Sequence, residues 1–187
     1  MEYEAIRGLS RKQIREIAAF IRNLFGINTV VFPVMKVLDM LEEKFPEHIY
    51  YVIEEDSQFE YGCMAYLEEE SPDHYCIHIR ETVYNGACNR HRSYLGFINH
   101  EISHFFLVHV VGITPKRNAA GELTIYTRKM GGVYKSMEWQ AMALCGELMI
   151  PYEECKDMTF EQIVAETKST DSQTRYFLEK VVPNVRE

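Results

Sequence analysis

The sequence predicts an α+β domain, with helices arranged around a small, mostly antiparallel sheet. Three observations carry this reading. Apolar residues recur at helical spacing over 10–25, 33–44 and 136–149. They alternate with other residues over 75–81, as in a half-buried strand. The stretch 93–111 is apolar on nearly all sides, as in a helix buried deep in a domain. At 187 residues the chain is of single-domain size and long enough to bury a full core. Its apolar fraction of 47% and aromatic fraction of 12% are those of a globular protein.

Ser10 is placed to cap a first helix whose inward face is Ile14, Ile17, Ala18, Ile21, Leu24 and Phe25, ending near Gly26. A second helix is expected from Pro33 to Lys44, with Val34, Val37, Leu38 and Leu41 inward. Strands are expected at 50–54 and 61–68. After a turn at Ser71-Pro72-Asp73 a third runs through 75–81, where Tyr75, Ile77 and Ile79 alternate with Cys76, His78 and Arg80. His78 is expected on the exposed face.

The buried helix 93–111 contains no Pro and only Gly96. Residues 112–135 form a long insertion, in which 123–127 and 133–134 flank Gly131-Gly132 as a hairpin candidate. A helix from Ser136 to Met149 stops ahead of Pro151, and residues 152–187 form the closing helices. The sheet thus spans 50–81, between N-terminal helices at 10–44 and the helical remainder of one domain, 1–187.

The charge and cysteine content narrow the function classes. A net charge of −8 argues against direct nucleic-acid binding, which calls for a clustered basic face. No apolar run approaches the length of a membrane span, and Met1-Glu2-Tyr3-Glu4 lacks a signal-peptide core. Five Cys form no CxxC pair and leave an odd one out, so reduced thiols in a cytoplasmic protein are expected. Cys88 and His91 lack the second pair that a structural zinc site needs.

The chemistry concentrates in His100-Glu101-Ile102-Ser103-His104, an H-E-x-x-H motif within the buried helix. Four-residue spacing puts both imidazoles on one helical face, one turn apart, where they can grip the same metal ion. Two His and a Glu are costly to bury unless a divalent cation compensates their desolvation. Catalytic zinc usually takes three protein ligands, and Glu138 is the best third candidate. It stands in the first turn of its helix, in line with Ala141, Met142, Cys145 and Met149 on the face expected to pack inward; Glu147 lies on a different face. Glu101 is close enough to act on a metal-bound water as the general base. His109, five residues past His104, is rotated off the ligand face. Tyr94, Tyr126, Tyr134 and His109 are all candidates for a donor to the developing oxyanion.

His100 to His104, followed by Glu138-Trp139-Gln140-Ala141 and closing on Leu148-Met149-Ile150-Pro151, resembles the ImmA/IrrE metallopeptidases. Ile77-His78-Ile79, Arg90-His91-Arg92 and His109 extend the likeness, which covers roughly residues 10–152. Met142 replaces the usual Asn, Leu144 an aromatic residue and Ser103 the commoner Gly. The resemblance implies a zincin-like, gluzincin-type domain in which Zn2+ is bound by His100, His104 and Glu138, with Glu101 as general base. An outer strand would border the cleft and receive an extended peptide. The implied activity is site-specific cleavage of a regulatory protein, such as a helix-turn-helix repressor in mobile-element or stress control. The alternative is a non-catalytic, zinc-stabilised domain that binds and modulates such a regulator. Lys116, Arg117, Arg128, Lys129 and Lys135 make the insertion locally basic, which suggests a flap over the cleft favouring acidic peptides.

Overall fold

The computed structural model describes residues 2–127 and 132–185. Among them are eight α-helices and a three-stranded mixed sheet, an α+β arrangement. Helix α1 (Arg11–Leu24) starts where expected. The Ser10 hydroxyl accepts from the Gln13 N–H, and the Gln13 side chain accepts from the Ser10 N–H at 2.9 Å, a reciprocal capping box. Ile14, Ala18 and Ile21 are buried, and α1 is followed by Gly26 at φ 63°, a conformation glycine adopts without steric cost.

Buried Arg22 is a feature that the apolar pattern does not announce. Its guanidinium donates to the Leu148 carbonyl at 2.8 Å and to the carbonyls of Thr29 and Val30. It thereby ties the end of α1 to helix α5 (Met137–Met149). Helix α2 (Val34–Lys44) buries the expected Val34, Val37, Leu38 and Leu41.

The sheet comprises β1 (Ile49–Glu54), β2 (Ala65–Ser71) and β3 (His74–Arg80), in the order β1-β3-β2. The expected mostly antiparallel sheet is corrected here: β2 pairs with β3 antiparallel, but β1 pairs with β3 in parallel. A tight turn forces the first relation, with Asp73 at φ 65° supplying the reversal. The connection from β1 to β2 passes across central β3, a choice that local pattern does not record. The second strand also begins later than expected, at Ala65, because Gly62 at φ 85° and the Cys63 N–H to Glu60 carbonyl bond turn the preceding residues.

Helix α3 (Glu81–Cys88) directly follows β3 and was hidden by its brevity, although Val83 and Ala87 at i, i+4 are its buried residues. It packs against α4 (Arg92–Phe105), the helix bearing the motif. A Cβ added to Gly86 would fall 2.0 Å from the Tyr94 ring, so this contact has no room for a larger residue. Gly86→Ala is expected to destabilise the protein by about 1–3 kcal/mol through overpacking. Urea unfolding would show a lower midpoint at unchanged slope, partly restored in Gly86→Ala/Tyr94→Ala. An unshifted midpoint would mean that α3 and α4 slide apart freely.

The α-helical part of α4 ends at Phe105 and continues as a π-helical turn over Phe106–Val110, before Gly112 at φ 71°. Ile98, Ile102, Phe105, Phe106 and Leu107 are fully buried and form the centre of the core. No helix among the described residues is long and apolar enough to cross a membrane.

The insertion is pinned rather than free over its described part. Tyr3 bridges to Ile125 and Ala5 to Pro115, the Lys116 N–H donates to the Glu4 carbonyl, and the Lys116 ammonium pairs with buried Glu4 at 3.1 Å. A hinged flap does not follow from this arrangement. The expected hairpin partly lies outside the described residues. Its first arm, at Leu123 and Ile125, pairs with Arg117 and Tyr3 instead, and Val133–Lys135 is a 3-10 turn. All five cysteines are free.

Candidate metal centre

Two helices bring the metal-ligand candidates together. α4 carries His100 and His104 one turn apart, and the first turn of α5 carries Glu138 opposite them. The start of α5 is set by Ser136, whose hydroxyl accepts from the Trp139 N–H at 2.9 Å. A carboxylate in that first turn is also favoured by the helix dipole. The helices are locked together by fully buried Asn99, whose amide donates to the Cys145 carbonyl at 3.3 Å. Ser103, between the two histidines in sequence, donates to the Asn99 carbonyl at 2.7 Å.

The three donors converge. His100 Nε2 lies 3.1 Å from His104 Nε2 and 3.2 Å from Glu138 Oε2, and His104 Nε2 lies 3.2 Å from Glu138 Oε1. Electron-pair donors held this close repel one another unless a proton or a cation lies among them, so the trio is suited to a cation. The Glu138 side chain is 46% exposed, against 23% for His100 and 14% for His104, which places the opening on the carboxylate side. Hydrogen bonds from His100 and His104 hold the Glu138 carboxyl well below the usual carboxylate range. Burial alone would pull the His100 imidazole down, but its hydrogen bond to Glu138 and the nearby Glu101 charge outweigh this and raise it.

Glu101 is 9% exposed and stands beside the trio without joining it. Its Oε2 accepts the Leu67 N–H of β2 at 3.0 Å. β2 is an edge strand, and at Leu67 it gives its N–H to this carboxylate rather than to the sheet ladder. Burial pushes the Glu101 carboxyl up, with the His104 and His100 charges opposing. This link between motif and sheet edge had no signal in the sequence, because it joins positions 67 and 101 through backbone.

After α6 (Tyr152–Cys155) and α7 (Phe160–Thr167) comes helix α8 (Asp171–Tyr176), and between it, α4 and α5 a cavity of about 730 Å³ opens next to His100. Phe97, Trp139, Met142 and Tyr176 are among its walls. Two expectations for α5 are corrected here. Met142 does not pack inward but is 65% exposed at this cavity, because the groove separates its part of α5 from α8. Glu147, expected on an unremarked face, is 5% exposed and paired with Arg15 of α1 at 3.1 Å, since α1 covers that side of α5.

His78 is not exposed as expected. Its side chain is 13% exposed, stacked on Tyr66 with ring centroids 4.4 Å apart, and its two nitrogens face Glu54 and Glu68. His109 is turned away from the trio, towards Asp73. Tyr94 lies over Gly86 and Tyr134 over Gly8 and Gly132, while Tyr126 is buried.

No protein-family profile and no curated protein matches the sequence. Among solved structures, a Mycobacterium tuberculosis transcriptional regulator is similar in fold, with a TM-score of 0.51 at 10% identity. The match covers 91% of this chain and 52% of that one, so the chain spans about half the length of that protein. At this identity the likeness concerns the fold alone.

Proposed function

We propose that this chain is a zinc-dependent peptidase of the ImmA/IrrE type, with a zincin-like domain that cleaves a regulatory protein of the repressor class. The observation that carries the proposal is a buried Glu101 carboxylate, fixed to an edge strand and adjacent to a His100–His104–Glu138 donor trio. A tetrahedral zinc ion with donor distances of about 2.0–2.1 Å holds its ligand atoms about 3.3 Å apart. The 3.1 Å between the His100 and His104 Nε2 atoms fits that spacing, and Glu138 sets one carboxylate oxygen 3.2 Å from each imidazole, Oε2 by His100 and Oε1 by His104. Two imidazoles and one carboxylate are also the donor types of a catalytic zinc site, which leaves one position open. A purely structural role would not call for a base buried beside the metal ligands, which favours the enzyme over a non-catalytic regulator-binding domain.

Zinc held there supplies Lewis acidity towards a carbonyl oxygen and makes water acidic near neutrality. The chain's own residues supply the rest. Glu101 takes the proton from the attacking water and returns it to the amine nitrogen as the peptide bond breaks. The outer edge of β2 offers backbone groups to an extended peptide, which would lie as an added strand past Glu101. The apolar cavity beside His100 is suited to a large apolar side chain of the same peptide.

Zinc-loaded protein incubated with a peptide library should give chelator-sensitive cleavage, read by mass spectrometry. Absence of any such product, with zinc bound and α4 folded, counts against the peptidase reading.

Proton competition gives a second check. In the metal-free site the His100 proton is stabilised by Glu138, so His100 stays protonated to higher pH than a free imidazole. An entering cation must expel that proton. Zinc affinity should therefore rise with pH through the raised His100 range and level off above it. Calorimetric titration across that range tests this, and a pH-independent affinity would mean that His100 does not ligate.

A further inference from the structure

A second cluster of metal-ligating side chains lies beyond the far end of α4. His48 precedes β1, Asp73 forms the turn between β2 and β3, and His109 belongs to the π-helical turn that follows α4. His109 Nδ1 is 2.6 Å from Asp73 Oδ1, and His48 Nδ1 is 3.2 Å from Asp73 Oδ2 and 3.0 Å from the Asp73 carbonyl. One ligand atom from each of the three side chains lies within 4.8 Å of the others.

We infer that His48, Asp73 and His109 form a second cation site, for a borderline divalent transition ion such as zinc, that staples the end of α4 to the sheet. Three features support a built site. His109 is walled by aromatic rings: it stacks on Phe105 at 5.0 Å and meets Phe45 and Tyr75 edge-on. Its side chain is 13% exposed, its Nδ1 is aimed at Asp73, and its ring centroid lies 4.5 Å from that of His48. The π-helical turn changes the helix phase beyond Phe105, as such turns often do at functional sites. His48 is anchored beside the turn, its carbonyl accepting the Tyr75 N–H at 2.8 Å.

Asp73 adds an independent argument. Its φ of 65° would be met equally well by Asn or Gly, so the turn itself does not require a carboxylate. Two imidazoles and one carboxylate suit zinc, cobalt or nickel, whereas calcium and magnesium prefer oxygen ligands throughout. The chain segments joined are distant in sequence, so an ion there would cross-link α4, β1 and the β2–β3 turn.

The test is zinc stoichiometry and thermal stability in a protein whose first site has been removed. Metal-free His104→Ala/Glu138→Ala, titrated with zinc chloride at neutral pH, is expected to retain one equivalent and to melt at a higher temperature with zinc than without. Adding Asp73→Asn or His48→Gln should weaken that binding more than about 100-fold and erase the zinc-dependent shift. Both residues are well exposed, at 59% and 39%, and Asn tolerates the left-handed turn, so neither change should unfold the domain. Unchanged far-UV circular dichroism verifies this. If the background variant takes up no zinc, or if its zinc survives both added substitutions, the second site does not exist. Failure of the first site alone would look different: wild-type protein would bind zinc in a manner insensitive to His104 and Glu138 yet lost in Asp73→Asn.

Discussion

Replacing His104 with alanine is expected to remove one zinc equivalent and, with it, all chelator-sensitive cleavage. His104 Nε2 touches both other members of the trio, His100 at 3.1 Å and Glu138 at 3.2 Å, so its loss removes two of the three contacts that define the site. Two remaining donors rarely retain the ion, because zinc then has to be held mostly by water. The fold should survive. Ile98, Ile102, Phe105 and Phe106 anchor α4 in the core from its other faces, and His104 lies at the cleft rather than among them. Metal analysis of dialysed protein, paired with a cleavage assay, reads both effects. Full zinc content with normal turnover in the variant would remove His104 from the ligand set.

Glu101→Gln should separate chemistry from metal binding. The amide has nearly the shape of the carboxylate, and its oxygen still accepts the Leu67 N–H, so the tie between α4 and β2 is retained. The amide cannot take a proton from water. Turnover is therefore expected to fall by about 10²- to 10⁴-fold, the usual contribution of a positioned general base. Zinc content should stay near that of the wild type, because Glu101 stands outside the donor trio. The change should appear in kcat more than in KM, since the base acts in the transition state and not in ground-state binding. Equal zinc loss in Glu101→Gln and His104→Ala would make Glu101 a ligand or a folding element and would overturn its assignment as base.

Several parts of this protein were readable because their physics is local. A capping hydroxyl finds an N–H three residues away, so Ser10 marked the start of α1 in the sequence itself. Helical spacing places residues four apart on one face, so His100 and His104 were bound to meet once α4 formed. Glu138 was legible only through its context: a first-turn carboxylate is ordinarily explained by the helix dipole, but one aligned with Ala141 and Cys145 downstream of the motif is also a candidate third ligand.

What the tertiary structure alone decided involves contacts between segments with no fixed spacing. The face of α5 that holds Glu147 looked open, yet α1 closes over it and Arg15 supplies the counter-charge; the face that holds Met142 looked closed, yet a cavity opens there. The parallel β1–β3 pairing depends on which side of β3 the chain returns to, and strand composition carries no record of that choice. The Leu67 N–H on Glu101 is a backbone contact, so no residue type signals it. The turn that carries Asp73 was legible at Ser71-Pro72-Asp73, but the approach of His48 and His109 to it was not, because it joins distant segments and depends on the π-helical turn that sets His109 against Phe105. Local hydrogen bonding and periodicity are written at short range along the chain, whereas burial, pairing partners and cavities are set by how the completed elements exclude water from one another.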